Sequence, residues 1–247
     1  MKLQIGTYNI VHALHYAEEL AGNPKVIDPE GLADVIAEGG AVICGLNEVD
    51  VNAKRSQWTH APFQIAERLR ALTGERYYWA YAPAMHGFSG GGASQYGNAI
   101  VSKYPLKTVR VTPVDGGVGK EIRSILTVTL EAEGKMLTVI VTHFGFGRAD
   151  VDRMLELLKA EIDASEYPVI LMGDFNLGAD QWEYDTLASW LKDSCAADPF
   201  MPKTFPSDKP RGKIDFIFAS PALNPAEPRV IASRHSDHLP LFATVEW

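Results

Sequence analysis

Short apolar runs recur along the chain, and most read as strands. They are LQIGTYNI (3–10), AVICGL (41–46), YYWAYA (77–82), NAIVS (98–102), KTVRVTPV (107–114) and RSILTVTLEA (123–132). KMLTVIVTHF (135–144), PVILMGDF (168–175), KIDFIFAS (213–220), PRVIAS (228–233) and LPLFATVEW (239–247) complete the set. They are rich in Val, Ile, Thr and aromatics and are bounded by Gly, Pro, Asn and Asp. Glu133-Gly134 between two of them reads as a hairpin turn. Four segments carry helical spacing. Asp28-Pro29-Glu30 opens the first with an acceptor at the N-cap and proline at N1. The others cover 60–72, 149–164 and 180–191, where apolar residues fall on one stripe. Many strands with interspersed helices predict an α/β sandwich of two sheets face to face, helices outside. Continuously apolar strands such as 168–172 suit sheets covered on both faces.

Length and composition narrow the class. At 247 residues, about 150 per domain gives one large domain or two small ones. Hydrophobic residues at 46% and charged residues at 22% exclude disorder and fibrous repeats. Two cysteines, Cys44 and Cys195, make no disulfide framework. No run approaches 18 apolar residues, and the N-terminus lacks a signal-peptide pattern, so a cytoplasmic protein without a transmembrane segment is expected. A net charge of −8 argues against a protein that holds nucleic acid chiefly through backbone charge.

The chemistry sits at the strand ends. One strand ends in Asn9, another runs into Asn47-Glu48-Val49-Asp50, another ends in His143, and another ends in Gly173-Asp174-Phe175-Asn176. Asp215 begins a strand, and Ser236-Asp237-His238 precedes the last one. Apolar strands that each deliver a polar terminus build a site at one rim. Glu48, Asp174, Asp237, Asn9 and Asn176 form a hard, oxygen-rich set that suits Mg²⁺, or Mn²⁺, better than Zn²⁺. Two histidines beside it supply proton transfer or a donor to an oxyanion. Together they suit phosphate-ester hydrolysis.

At these residues the chain resembles the endonuclease/exonuclease/phosphatase superfamily. TYNI (7–10), NEVD (47–50), YGNAIVS (96–102), TH (142–143), GDFN (173–176), IDFIF (214–218) and SDH (236–238) follow its motifs in order, across residues 3–247. The resemblance implies a single domain over 1–247, a four-layered α/β sandwich, and a Mg²⁺-dependent hydrolase of phosphoesters. It makes Glu48 the principal metal ligand, with Asn9 and Asp237 close to the metal. Asp174 would orient or deprotonate the attacking water, and Asn176 would hold that water or a phosphoryl oxygen. His238 would contact the scissile phosphate, with Asp215 orienting its ring, and His143 would donate to the phosphate or leaving oxygen. Whether Asp174 or His238 is the base stays open. Members commonly carry Gln before the metal Glu; here it is Asn47, one methylene shorter.

Basic residues bear on the substrate. Lys203, Lys209, Arg211 and Lys213 cluster before Asp215 as a positive loop. Lys209, Arg211 and Arg123 are the candidate substrate contacts. The Gly-rich stretch 85–98 feeds a strand and reads as a mobile substrate-side loop. His12 and His15 read as solvated loop residues, and His60 and His235 carry no functional expectation. The favoured substrate is a small or lipid-derived phosphoester. A nuclease and a non-catalytic binding protein are the alternatives, and the oligomeric state is not legible.

Overall fold

The computed structural model describes residues 1–115, 117 and 121–247. Among these, twelve strands form two mixed sheets of six. The first has the order β11 (Asn224–Val230), β12 (Leu241–Glu246), β1 (Lys2–Asn9), β2 (Ile43–Val51), β4 (Gln95–Ser102) and β3 (Tyr78–His86). The second runs β5 (Leu106–Val114), β6 (Arg123–Ala132), β7 (Lys135–His143), β8 (Val169–Asp174), β10 (Asp215–Ala219) and β9 (Lys192–Asp193).

Period-two patterning explains why these strands stack in layers. On β7, Leu137, Val139 and Val141 join the core between the sheets, while Ile140 faces the opposite way. On β8, Ile170 and Met172 point inward, and Val169 and Leu171 point outward. Each strand is apolar on both faces, so each sheet needs a cover on its outer side. Helices α2 (Pro29–Glu38) and α3 (Ala61–Thr73) cover the first sheet, placing Leu32, Ile36, Ile65 and Leu69 against Tyr8, Leu46 and Val101. Helices α4 (Arg148–Asp163) and α5 (Trp182–Trp190) cover the second, with Met154, Leu158 and Leu187 against Ile140, Leu171 and Phe218. The result is the expected four-layered sandwich. Each fully buried Leu, Ile or Phe contributes about 1.5–3 kcal/mol of transfer free energy.

Local signals worked where they are strongest. Asp28 Oδ1 accepts the Gly31 N–H at 2.8 Å, capping α2. Glu133 and Gly134 take φ 50° and 76°, the positive pair that a tight two-residue hairpin needs.

Several boundaries differ from the sequence reading. The strand expected at 228–233 is β11, displaced to Asn224–Val230. It is an edge strand, so Pro225 and Pro228 can be accommodated, with a register slip between Ala226 and Arg229. The strand expected at 41–46 continues as β2 through the whole NEVD stretch. The two-residue β9 and the short helix α1 (Tyr16–Leu20) carried no readable period. Among the described residues, no helix is long and apolar enough to cross a membrane.

Candidate active site

Strand register builds the site. In the second sheet, His143 pairs with Asp174 across β7 and β8, and Asp174 pairs with Asp215 across β8 and β10. In the first sheet, Asn9 pairs with Asn47 across β1 and β2. One row of polar residues therefore crosses three strands of one sheet and faces a second row on the other. The segment before β12 closes the group: Ser236 Oγ donates to the Asn9 carbonyl at 2.6 Å.

Backbone irregularities aim the side chains. The β2–β4 pairing slips between Leu46 and Val49, and Glu48 inside the bulge takes φ 56°. Such a conformation is uncommon outside glycine, and a bulge re-aims the side chain it carries. Asn176 takes φ 51°, which Asn tolerates better than most residues. Gly173 at φ 150° lies so close to β7 that a Cβ would stand 1.9 Å from the Thr142 carbonyl oxygen. Any side chain there would push β8 off β7, so the step into Asp174 requires glycine.

Asp174 is the focus. Its Oδ2 accepts from Asn9 Nδ2 at 3.0 Å and lies 3.5 Å from His143 Nε2 and 3.6 Å from His238 Nε2. Its Oδ1 accepts the Asn176 N–H at 2.9 Å. The same Asn9 amide donates to Glu48 Oε1 at 3.1 Å, while its oxygen takes the Val11 N–H. On the far side of His238, Nδ1 meets Asp215 Oδ2 at 2.9 Å. Asp215 is fully buried, and its other oxygen has no partner.

Burial and charge set the protonation states. Burial pushes the Asp174 carboxyl up to about 7, with Asp215 adding to the shift and His238 and the Asn9 and Asn176 hydrogen bonds opposing it. For His238, burial opposes charge, but Asp215, Asp174 and Asp237 together outweigh it and raise the imidazole to about 10. His238 is therefore a cation at neutral pH. His143 goes the other way: burial, then the Arg123 and His238 charges, hold it well below the usual imidazole range. Arg123 Nη1 stands 3.1 Å from His143 Nδ1. A guanidinium only donates, so Nδ1 accepts and the ring proton sits on Nε2, toward Asp174. Burial also raises Glu48 and Asp237. The nearby Asp237 charge raises Glu48 further. Carboxylates that resist ionisation together, with oxygen donors, fit a hard divalent cation.

The other expected residues fall in different places. Asn176 Nδ2 donates to the Phe144 carbonyl at 2.9 Å and lies 3.0 Å from His143 Nε2. Arg123 is buried, bonded to Glu121 and packed on His143, with its Nε unpartnered. Lys209 and Arg211 are exposed on a loop tied to the site by Ser207 N–H to Asp237 O (2.7 Å) and Leu239 N–H to Thr204 O (2.7 Å). Lys213 leaves the positive loop: it is buried, with Nζ 3.8 Å from Asp193 Oδ2 and 3.2 Å from the centre of the Phe216 ring. The Gly-rich stretch is mostly loop, with its ends 85–86 and 95–98 in β3 and β4. The loop, 87–94, is held by Lys54 N–H to Ser89 O at 3.0 Å.

Sequence reasoning assigned no role to several residues at the site. Asn47 donates to Asn98 Oδ1 and Thr142 O, each at 2.8 Å, and accepts the Asp174 N–H at 2.9 Å. It bolts the first sheet to the second directly behind Asp174. Asn98, within YGNAIVS, extends the bolt to the Ser124 carbonyl at 2.7 Å. The Phe205 ring packs on His238 with centroids 4.8 Å apart.

A family model described as "Endonuclease/Exonuclease/phosphatase family" matches residues 15–238. The chain belongs to this family. Its members are divalent-metal-dependent enzymes that hydrolyse phosphoester bonds, and this endonuclease/exonuclease/phosphatase chain is one of them. The fold agrees with solved relatives. An endonuclease/exonuclease/phosphatase from Beutenbergia cavernae is 23% identical with a TM-score of 0.77, covering 99% of this chain and 71% of that one. The Bacteroides thetaiotaomicron mannosyl-6-phosphatase is 16% identical with a TM-score of 0.73, covering 99% and 100%. The human Nocturnin catalytic domain is 18% identical with a TM-score of 0.73, covering 99% and 93%. No protein of curated function is similar enough to count as a match.

Proposed function

We propose that this chain, as one domain over 1–247, hydrolyses a compact phosphoester by in-line attack of water. The observation that carries the proposal is the convergence of Asn9, His143 and His238 on Asp174, with Glu48 held through the same Asn9 amide. Glu48 and Asp237, with Asn9 beside them, would hold Mg²⁺; Mn²⁺ suits the same oxygens. Bound there, the ion supplies Lewis-acid polarisation of a phosphoryl oxygen and offsets charge.

The chain's own residues divide the remaining work. Asp174, raised to about 7, takes the proton of the attacking water, and Asn176 orients that water. His238, raised to about 10, serves as a cationic donor to the phosphoryl or leaving oxygen and not as the base. Asp215 holds the His238 ring and sustains its charge. His143, neutral with its proton on Nε2, donates a hydrogen bond. Arg123, buried beside it, holds the His143 ring through Nη1.

Two features favour a compact substrate. Lys209 and Arg211 are exposed on a loop tied to the site, which places positive charge there in a chain with net charge −8. A cleft of about 220 Å³ beside Asn176, lined by Phe146, Arg148 and Gln181, holds a group of modest size. A sugar phosphate is the first candidate to try, given the mannosyl-6-phosphatase with the same fold.

The test presents the purified chain with mannose 6-phosphate, p-nitrophenyl phosphate, bis(p-nitrophenyl) phosphate, plasmid DNA and RNA, each with Mg²⁺, Mn²⁺ or EDTA. Metal-dependent turnover of a small ester, lost in EDTA, supports the proposal. Cleavage of DNA or RNA with the small esters untouched gives the nuclease reading its place.

A further inference from the structure

A second histidine–carboxylate cluster lies outside the catalytic group. His15, Asp28 and His235 come from the loop after β1, the N-cap of α2 and the segment entering Asp237-His238. Each offers a ligand atom within 4.8 Å of the other two. We propose that they form a site for a Zn²⁺-class transition-metal ion that ties the loop after β1 to the segment before β12. The proposal does not depend on the hydrolase reading.

Four observations carry it. First, His235 Nδ1 and Asp28 Oδ2 are 3.1 Å apart, close to the edge of about 3.3 Å that bonds of about 2.0 Å give in a tetrahedral zinc site. Second, His15 Nδ1 is buried and has no hydrogen-bond partner, although its ring centroid lies 4.5 Å from that of His235. A buried ring nitrogen without a hydrogen-bond partner calls for an explanation, and a ligated ion supplies one. Third, room is made for the ring: a Cβ on Gly31 would fall 2.5 Å from His235 atoms and 2.2 Å from Asp28 Oδ2. Fourth, the frame is already held by backbone. Asp28 N–H donates to Ala13 O at 2.8 Å, and Ala17 N–H donates to Arg234 O at 2.9 Å. The three groups meet without help from an ion, so binding pays little ordering entropy.

The donor set selects the ion. Two imidazole nitrogens and one carboxylate oxygen suit Zn²⁺, Co²⁺ or Ni²⁺ and poorly suit Mg²⁺, which prefers oxygen. Asp28 Oδ1 stays committed to the Gly31 N–H, so it ligates through Oδ2 alone. His235 and Asp28 side chains are 30% and 29% exposed, which leaves the fourth position open to water. An ion here would anchor both flanks of the Asn9–Ser236 contact, and so act on the active site by holding its walls.

Co²⁺ titration of the full chain in excess Mg²⁺ tests this, because Mg²⁺ saturates an oxygen site and leaves a nitrogen site free. The expected result is one equivalent of Co²⁺ with the visible absorption of a four-coordinate ion. Glu48→Gln should retain that band. His15→Ala and His235→Ala should each abolish it, weakening binding by more than the roughly 10–100-fold that loss of an outer partner costs. Asp28→Asn keeps an N-cap acceptor for Gly31 and so separates ligation from folding. It should melt like the parent in EDTA yet bind Co²⁺ more weakly. With Zn²⁺ at about 100 times its Kd, the parent should melt roughly 5–10 °C higher than in EDTA. Absence of a four-coordinate band, or a band lost in Glu48→Gln and kept in both histidine variants, overturns the proposal.

Discussion

His235 and His238 stand three residues apart, and each meets an aspartate through Nδ1, at 3.1 Å and 2.9 Å. Their surroundings make them different groups. The His238 and Asp215 side chains are 6% and 0% exposed, and a second carboxylate, Asp174, lies on the other ring nitrogen. His235 and Asp28 are about a third exposed, and the third neighbour is an imidazole, His15. The surrounding acids Asp215, Asp174 and Asp237 make His238 a standing cation in spite of its burial. Partial exposure with a second histidine makes the other cluster a set of nitrogen donors. The same residue pair thus gives acid chemistry in one place and metal affinity in the other, decided by the groups around it.

The largest effect expected from breaking this comparison is at the catalytic group. Glu48→Gln removes the carboxylate that would hold the metal. A bound ion's charge stabilisation is worth several kcal/mol, so metal-dependent turnover should fall at least about 10²-fold. Steady-state rates at saturating Mg²⁺ measure this. The matching change at the other cluster, His235→Ala, should leave turnover within about tenfold of the parent in Mg²⁺ alone.

The next effect is on pH. The folded His238 titrates near 10, above the ordinary imidazole value of 6.5, because Asp215, Asp174 and Asp237 together outweigh burial. Its cation therefore stabilises the fold fully below about pH 6.5, and that contribution is lost as pH rises through about 10. Asp215→Asn removes the largest of the three carboxylate effects, so the alkaline loss should begin at lower pH. Urea unfolding in EDTA across pH 6–10 checks this. A curve unchanged from the parent would mean that Asp215 does not sustain the charge.

Smaller effects concern packing. Asn47→Gln restores the residue common in the family, but the pocket behind Asp174 is shaped for the shorter amide, which is fully buried with three hydrogen bonds. Overpacking should cost about 1–3 kcal/mol in urea unfolding. In EDTA, His235→Ala loses one partly exposed hydrogen bond and should cost about 0.5–1.5 kcal/mol.

How far the sequence exposed all this depends on the kind of contact. The layers were legible because period-two strands such as β7 and β8 need cover on both faces, whatever their partners. The β11 boundary was not, because prolines in an edge strand look like breakers. Asn9, Glu48, His143, Asp174, Asp215 and His238 were legible as polar ends of apolar strands, and register brings most of them together. Lys213 misled because its charge pattern matched its neighbours in a loop, yet its ammonium is buried over the Phe216 ring beside Asp193. The His15–Asp28–His235 cluster left no trace because its members are far apart in sequence and meet only when two loops fold onto one helix start.

The central claim is that Asp174 is the group toward which the site is built and which takes the proton from water. Asp174→Asn is nearly isosteric and keeps a side-chain oxygen for the Asn176 N–H. Its turnover of a small phosphoester in Mg²⁺ is the most direct test, with circular dichroism confirming the fold. The account predicts a loss of about 10²–10⁴-fold, the usual worth of a general base. Turnover within a few-fold of the parent, with the fold intact, would contradict it.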